Sequence, residues 1–487
     1  MKRALFGVVV AVVLIVAIVF VRTTMVAAPP PLASSPPPIS VNSMDVARHL
    51  AAAIRFKTIS YGNSAHGDEK NSQLDALRAW MEQTYPAFHR AVTREIIGKS
   101  LLFTWKGKNP NAKPILLMAH MDVVPVVPGT GRDWSHDPFS GDISDGFVWG
   151  RGAIDDKGCL ITLLDAAERL AQSGFTPART IIFAFGQDEE VGGSEGNGNV
   201  AKVLAARHIH FSWVLDEGGA ILNEPFPGVQ QPVAFMAVAE KGYLTLQLVA
   251  HGTGGHSSRP THDLAIARLS DAVLQVVNHP FASGIDDIQK EQFSVLAPYM
   301  PFFQRMMLAN LWLTGPIISH MLEGNPETAA IMHTTIAPTM ISGGVKDNVL
   351  PPQATATINF RLHQRESIES VLEHVRKSIN DPSVDVRALT ETQSEASKVS
   401  DLHDDNGKFI VQTIADSFNG IPVAPTVTTG ATDSRHYLAL ADDVYRFDPF
   451  HMGPDDMSRV HGTNERLAIG DIGPAVAFYM RLMQNLK

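Results

Sequence analysis

The chain has 487 residues, of which 45% are apolar and 18% charged, and its formal net charge is -10. That length exceeds what one ordinary core accommodates, so two domains are expected, and the composition is that of a globular protein. The acidic balance excludes the basic stripe that nucleic-acid binding needs, and the single cysteine, Cys159, excludes a disulfide framework and a cysteine-based zinc cluster, so any metal must be held by His, Asp or Glu.

Lys2 and Arg3 precede an unbroken apolar run over 4–21, at the short end of what crosses a bilayer as a helix. A transmembrane signal anchor is expected over 1–22. Under the positive-inside rule its start stays cytoplasmic and the rest of the chain lies outside, on the periplasmic, extracellular or lumenal side. The alternative is a cleaved signal peptide ending near Val26-Ala27-Ala28, giving a secreted protein, though Pro29 is a poor residue just after such a cut. Residues 23–43 read as an extended Pro-rich linker.

Helical periodicity follows over 44–54 and 71–82, the second with Leu74, Leu77 and Trp80 on one face. Residues 100–105 and 114–118 read as strands. A strong helix over 157–173 carries Leu160, Leu163, Leu164, Ala167 and Leu170 in one stripe. Strands over 180–185 and 213–215 come next, the latter running into Asp216-Glu217-Gly218-Gly219. Strands alternating with helices predict an α/β catalytic domain with a largely parallel sheet and helices on both faces. In such sheets function collects where strands end.

The texture changes near Lys241. A strand over 243–251, a helix over 263–277, strands over 334–341 and 354–362, a helix over 367–379 and a strand over 384–389 give the β-α-β-β-α-β order of a ferredoxin-like α+β unit. It reads as a lid, 240–398, inserted between catalytic segments 44–239 and 399–487. Within it 280–330 is an apolar insertion holding Phe293, Tyr299, Phe302, Phe303, Met306 and Trp312. Two readings stand: amphipathic helices packing on the lid, or a greasy surface that accepts an acyl chain or touches the bilayer.

Five segments carry chemistry: 118–122, 150–158, 188–190, 215–218 and 460–465. Three times an apolar strand runs straight into acids or a His. Burying such groups uncompensated costs several kcal/mol each, and two divalent cations would satisfy them together. A bridging carboxylate suits a pair of ions about 3.5–4 Å apart. Neighbouring Glu189 and Glu190 point in different directions, so one can bind metal while the other faces water. Asp122, two residues after His120, can orient the imidazole.

His-Met-Asp-Val-Val-Pro, Gly-Arg-Gly-Ala-Ile-Asp-Asp-Lys-Gly, Asp-Glu-Glu-Val-Gly-Gly and His-Gly-Thr-Asn-Glu together resemble the di-zinc aminoacylase/carboxypeptidase family. The likeness runs from about residue 45 to the end. Leu-Asp-Glu-Gly-Gly, Gly-Val-Lys-Asp-Asn-Val-Leu-Pro-Pro, Asn-Phe-Arg-Leu and Thr-Asp-Ser-Arg place it nearest the branch of carboxypeptidase S and the secreted N-fatty-acyl-amino-acid synthase/hydrolase. The resemblance implies Zn2+, two per subunit, with Co2+ or Mn2+ as alternatives. It implies that Asp155 bridges, that His120 and Glu217 complete one ion and Glu190 and His461 the other, and that Glu189 is the general acid/base. Asp216 is chemically equivalent to Glu217 and stays open as a ligand. His256 would polarise the scissile carbonyl, Asn348 and Arg361 would hold oxyanion and substrate carboxylate, and Thr432 and Arg435 belong to a substrate loop. The substrates so implied are N-acyl amino acids, N-fatty-acyl ones included, or short peptides, with homodimerisation through the lid.

Overall fold

The computed structural model describes residues 2–27, 37–62, 67–226, 228–389, 393–453 and 455–487. Part of the expected Pro-rich linker, 28–36, lies outside the described residues, as does the end of the candidate cleavage site at Ala28. Lys2–Met25 is one helix. Its apolar window has a mean hydropathy of 3.4 and is 0% buried against the rest of the protein, a composition that suits a membrane anchor and a signal sequence alike.

The central sheet forms from the apolar runs. In spatial order its strands are Thr93–Ile97, Ser100–Trp105, Ile181–Gly186, Ile115–His120, Phe211–Asp216, Ala441–Arg446, Val233–Glu240, Ala220–Leu222 and His451–Met452, with Val423–Thr428 also pairing with Val233–Glu240. The middle of the sheet is parallel, Ile115–His120 lying between two parallel neighbours, while the Thr93–Ile97 edge is antiparallel. Alternate residues serve two cores. Leu117, Ala119, Phe183 and Phe185 face helices Ser43–Ile54, Lys157–Gln172 and Ile469–Gln484. Leu116, Met118, Ile182 and Ala184 face helix Asn197–Ala206. A sheet covered on both faces needs continuous apolar strands, and each fully buried Leu or Phe contributes about 1.5–3 kcal/mol.

Lys241 alone separates Val233–Glu240 of this sheet from Gly242–His251 of the second. That sheet holds Thr335–Gly343, Gln353–Leu362, Gly242–His251 and Val384–Ala388, in that order and all antiparallel. Helices Ala265–Asn278 and Ile368–Ile379 bury Leu269, Ala272, Val276, Val371 and Val375 against it. The order is that of the expected ferredoxin-like unit. The chain's return runs beside its exit: Tyr243 N donates to Ser394 O (2.9 Å) and Ser397 N to Glu240 O (2.9 Å).

Of the two readings of the apolar insertion, packing on the lid holds at its start, where Phe281 joins the lid core, and not for the helices that follow. Its helices are Asp287–Leu296, Phe302–Ala309, Leu311–Glu323 and Pro326–Ala330. Instead of lying on the lid core, Leu296 and Met300 pack with Val229, Val233, Phe235 and Ala424 of the catalytic domain, and Gln292 Nε2 donates to Pro425 O (3.0 Å). Apolarity alone could not tell which of two apolar surfaces these helices would meet.

Candidate metal centre

The centre assembles at the carboxyl ends of the parallel strands, where backbone runs out and loops begin. His120 ends Ile115–His120; Glu217 follows Phe211–Asp216; Glu189 and Glu190 sit in the short helical turn after Ile181–Gly186. Asp155 comes from the turn that opens helix Lys157–Gln172, and its peptide bond to Asp156 is cis. Gly152 in that turn has φ +85°, and a Cβ there would lie 2.7 Å from Val123 Cγ1, so only glycine fits.

All five expected ligands interlock, through His120, Asp155 and His461. His120 Nε2 lies 2.9 Å from Asp155 Oδ1 and 3.4 Å from Glu217 Oε1. His461 Nε2 lies 3.0 Å from Asp155 Oδ2 and 3.1 Å from Glu190 Oε2. Each oxygen of Asp155 therefore faces a different imidazole, one from each half of the chain. Donor atoms of His120, Asp155 and Glu190 fall within 4.8 Å of one another, as do those of His120, Asp156 and Glu217. Asp216, left open by the sequence, turns away: its Oδ2 accepts from Ser434 N at 2.7 Å.

Asp122 is fully buried and works on both sides of the cluster. One oxygen stands 3.5 Å from His120 Nδ1. Its carboxylate also accepts from Glu189 N (3.1 Å) and Glu190 N (3.3 Å) and from the Ser60 hydroxyl, which Lys70 Nζ in turn contacts at 2.6 Å. It thus fixes the imidazole and the backbone of the two glutamates together.

The charges favour a cation. Burial pushes the Glu217 and Glu189 carboxyls well above the usual carboxylate range, with Asp155 adding to both; burial and Asp155 bring Glu190 up to about 7. Hydrogen bonds to Asp155 and Glu190 raise His461 to about 10. Burial opposes charge on His120, but Glu217, Asp122 and Asp155 outweigh it and hold the imidazole well above its ordinary value. More carboxylates than cations are buried here, and Asp156 Oδ1 has no partner among the described residues. A set of imidazole nitrogens and carboxylate oxygens is what zinc and similar divalent ions take, so the residues fit a metal.

The remaining expected residues divide. Arg361 stacks over Tyr243 at 4.6 Å. Its guanidinium is largely buried, within electrostatic reach of Glu189, and its Nη1 has no partner among the described residues. His256 and Asn348 lie together on a ribbon pairing Gly255–His256 with Val349–Leu350, where Ser257 N donates to Asn348 O (3.1 Å). Both are exposed, and among the described residues no hydrogen bond or ion pair joins either to the centre. Thr432, expected in a substrate loop, is buried with its hydroxyl donating to Glu240 Oε2 (2.9 Å), and Arg435 donates to Gly192 O behind the glutamate turn. As placed, both residues support the walls of the site.

Glu465 went unsingled by its sequence, although it closes the last motif. It is fully buried, and its carboxylate accepts from Arg151 Nη1 (2.6 Å), Gly152 N (3.0 Å), Ile154 N (2.9 Å) and Asp155 N (3.1 Å). It holds the turn that presents Asp155.

Fold and site together define a metal-dependent amidohydrolase. The sequence pattern of peptidase family M20/M25/M40 matches residues 116–485, and the chain belongs to that family. It is 37% identical over 451 residues to "Probable carboxypeptidase S-like 2" of Dictyostelium discoideum, covering 92% of this chain and 86% of that one. It is also 37% identical over 447 residues to the N-fatty-acyl-amino acid synthase/hydrolase PM20D1 of Xenopus tropicalis, covering 90% and 85%. Among solved structures, the M20 family metallo-carboxypeptidase Sso-CP2 from Sulfolobus solfataricus superposes with a TM-score of 0.64 at 17% identity, over 90% of this chain and 98% of that one.

Proposed function

We propose that this protein hydrolyses the amide bond of N-acyl amino acids, long acyl chains included, and runs the reverse condensation when amine and carboxylate are abundant. The observation that carries this is Asp155 placed between His120 and His461, with Glu190 and Glu217 in contact and Glu189 alongside. Kinship of equal degree to a carboxypeptidase S-like protein and to an N-fatty-acyl-amino acid synthase/hydrolase supports that bond class, and keeps C-terminal cleavage of short peptides as the second reading.

Two divalent ions, zinc by donor type, would be held by His120 and Glu217 and by Glu190 and His461, with Asp155 shared. Such ions supply Lewis acidity, which acidifies water and polarises a carbonyl oxygen. Glu189 takes a proton from the attacking water and returns it to the departing nitrogen, and its raised pKa suits a carboxyl that must do both. Asp122 keeps His120 and the Glu189–Glu190 backbone in register. Arg361, whose Nη1 has no partner among the described residues and whose fork is planar, binds the carboxylate of the amino acid. His256 and Asn348 reach the carbonyl when the lid closes or from the lid of a second copy, whose contact surface would be the edge strand Thr335–Gly343, where Met340 and Ile341 are 70% and 69% exposed. The Lys2–Met25 helix tethers the chain to a membrane, with the catalytic domain outside the cytoplasm.

The test is Glu189→Gln. Turnover of an N-acyl-phenylalanine should fall by about 10²–10⁴-fold with metal content unchanged. Retained turnover would remove Glu189 from the reaction and this mechanism with it.

A further inference from the structure

Beside the N-terminal helix stands a second exposed apolar surface. Helices Phe302–Ala309 and Leu311–Glu323 present Phe303, Trp312, Leu313, Ile317 and Met321 at 73%, 53%, 46%, 57% and 64% exposure. No Asp, Glu, Lys or Arg interrupts the stretch 311–322. Arg305, the one cation of the preceding helix, donates inward to Pro298 O (3.0 Å) and Met300 O (3.1 Å). Water-facing surfaces rarely gather so many large apolar side chains without a partner.

This surface is continuous with the N-terminal helix. Phe302 and Phe20 rings lie 6.2 Å apart, and Arg22 Nε donates to Ala309 O (3.3 Å). Asn310 Nδ2 reaches Thr23 Oγ1 at 3.2 Å and Val19 O at 3.4 Å, and Asn310 and Thr23 are both 0% exposed. A buried amide–hydroxyl bond joining two apolar helices is the contact that holds helices together in lipid, where apolar side chains gain little by leaving acyl chains for each other. On its other side the insertion is anchored to the catalytic domain through Leu296 and Met300. Leu222 packs on that cluster and also on Ile154 and Ala220, which adjoin the metal centre in sequence.

We propose that helices 302–309 and 311–323 lie in the bilayer leaflet next to the catalytic domain, docked on the end of the N-terminal helix, with lipid acyl chains as the partner of the exposed face. The inference rests on the membrane tether proposed above. A single spanning helix on a Pro-rich linker would leave the catalytic domain free to swing; a second lipid contact within the same fold fixes its orientation to the membrane.

The experiment uses the full-length protein in phosphatidylcholine vesicles. Cys159 is buried, so single cysteines introduced as F303C, I317C and M321C take an environment-sensitive fluorophore selectively. L14C reports the tether, and V345C, at a position 94% exposed on the lid, is the aqueous control. Brominated phosphatidylcholine is expected to quench labels 303, 317 and 321 at least twofold more than label 345. Quenching at 14 with none beyond the control at 303, 317 and 321 overturns the inference and leaves the tether standing. No quenching at 14 either overturns both. Labels at 317 and 321 that become shielded as protein concentration rises, without lipid quenching, point to a second copy on this face and overturn it too. The E189Q background gives the same quenching, so failure of the proposed reaction is read separately.

Discussion

Glu189 and Glu190 are adjacent acids whose duties are separated by backbone geometry. Both N–H groups point to Asp122, and the chain then sends Glu190 towards His461 while Glu189 stays within reach of Arg361. The same logic explains Glu465. It touches no proposed metal ligand side chain, yet four donors around Asp155 converge on it. Glu465→Gln strands the Arg151 charge in a buried site, which should cost about 3–5 kcal/mol of stability. Urea unfolding of the metal-free protein measures it, and an unchanged midpoint would deny Glu465 this role. Protonation gives a second expectation. Without metal, His461 binds its proton up to about pH 10, whereas a metal-ligating imidazole must be neutral. Metal binding at pH 7 therefore releases protons, and apparent affinity should rise with pH, by about tenfold per unit for each proton released. Calorimetry in buffers of different ionisation heat reads the proton count, and zero release would contradict the assignment of His461.

Between elements, legibility followed length and periodicity. The helix expected over 157–173 is Lys157–Gln172, and the apolar strands over 114–118 and 180–185 are Ile115–His120 and Ile181–Gly186, because their runs are long enough for burial to show as pattern. The small sheet of Asp142–Ser144, Phe147–Trp149 and Arg466–Ala468 left no such signal. Asp142–Ser144 and Phe147–Trp149 pair locally across Asp145-Gly146, but all three strands are only three residues long, too short for a period, and Arg466–Ala468 joins from more than three hundred positions away. The acids were legible because polar residues at the end of a buried strand need a reason. The duty of Thr432 was not, since nothing local shows that Glu240, far away in sequence, would take its hydroxyl. Arg361 lies on the long lid strand Gln353–Leu362, facing Tyr243 of the adjoining strand. Arg361→Lys keeps the charge and loses the fork, so KM for an N-acyl amino acid should rise about tenfold or more with a smaller change in kcat. A fall in kcat at constant KM would instead assign Arg361 to the reaction itself.

At the scale of the whole molecule, two sheets are joined by two crossings that run side by side, 240–242 and 394–400. Ser400 N donates to Val238 O (2.8 Å) and the Ser397 hydroxyl accepts from Glu240 N (2.8 Å). His256 and Asn348 lie on the lid side of that junction and the metal centre on the other. A pair of adjacent connecting segments is a geometry that permits closure without breaking either core. The architecture of each half was legible, since each follows from its own periodicity; the docking of the insertion was not, because it depends on surfaces brought together only by folding. Everything proposed for catalysis depends on His120, Asp155, Glu190, Glu217 and His461 acting together as a site for two cations. The direct measurement is metal content against activity on the purified full-length chain, with the His461→Ala variant beside it. Two divalent ions per chain, activity lost on chelation and regained on zinc addition, and fewer ions bound by His461→Ala are the results expected. Full N-acyl amino acid hydrolysis by a preparation free of metal would contradict it.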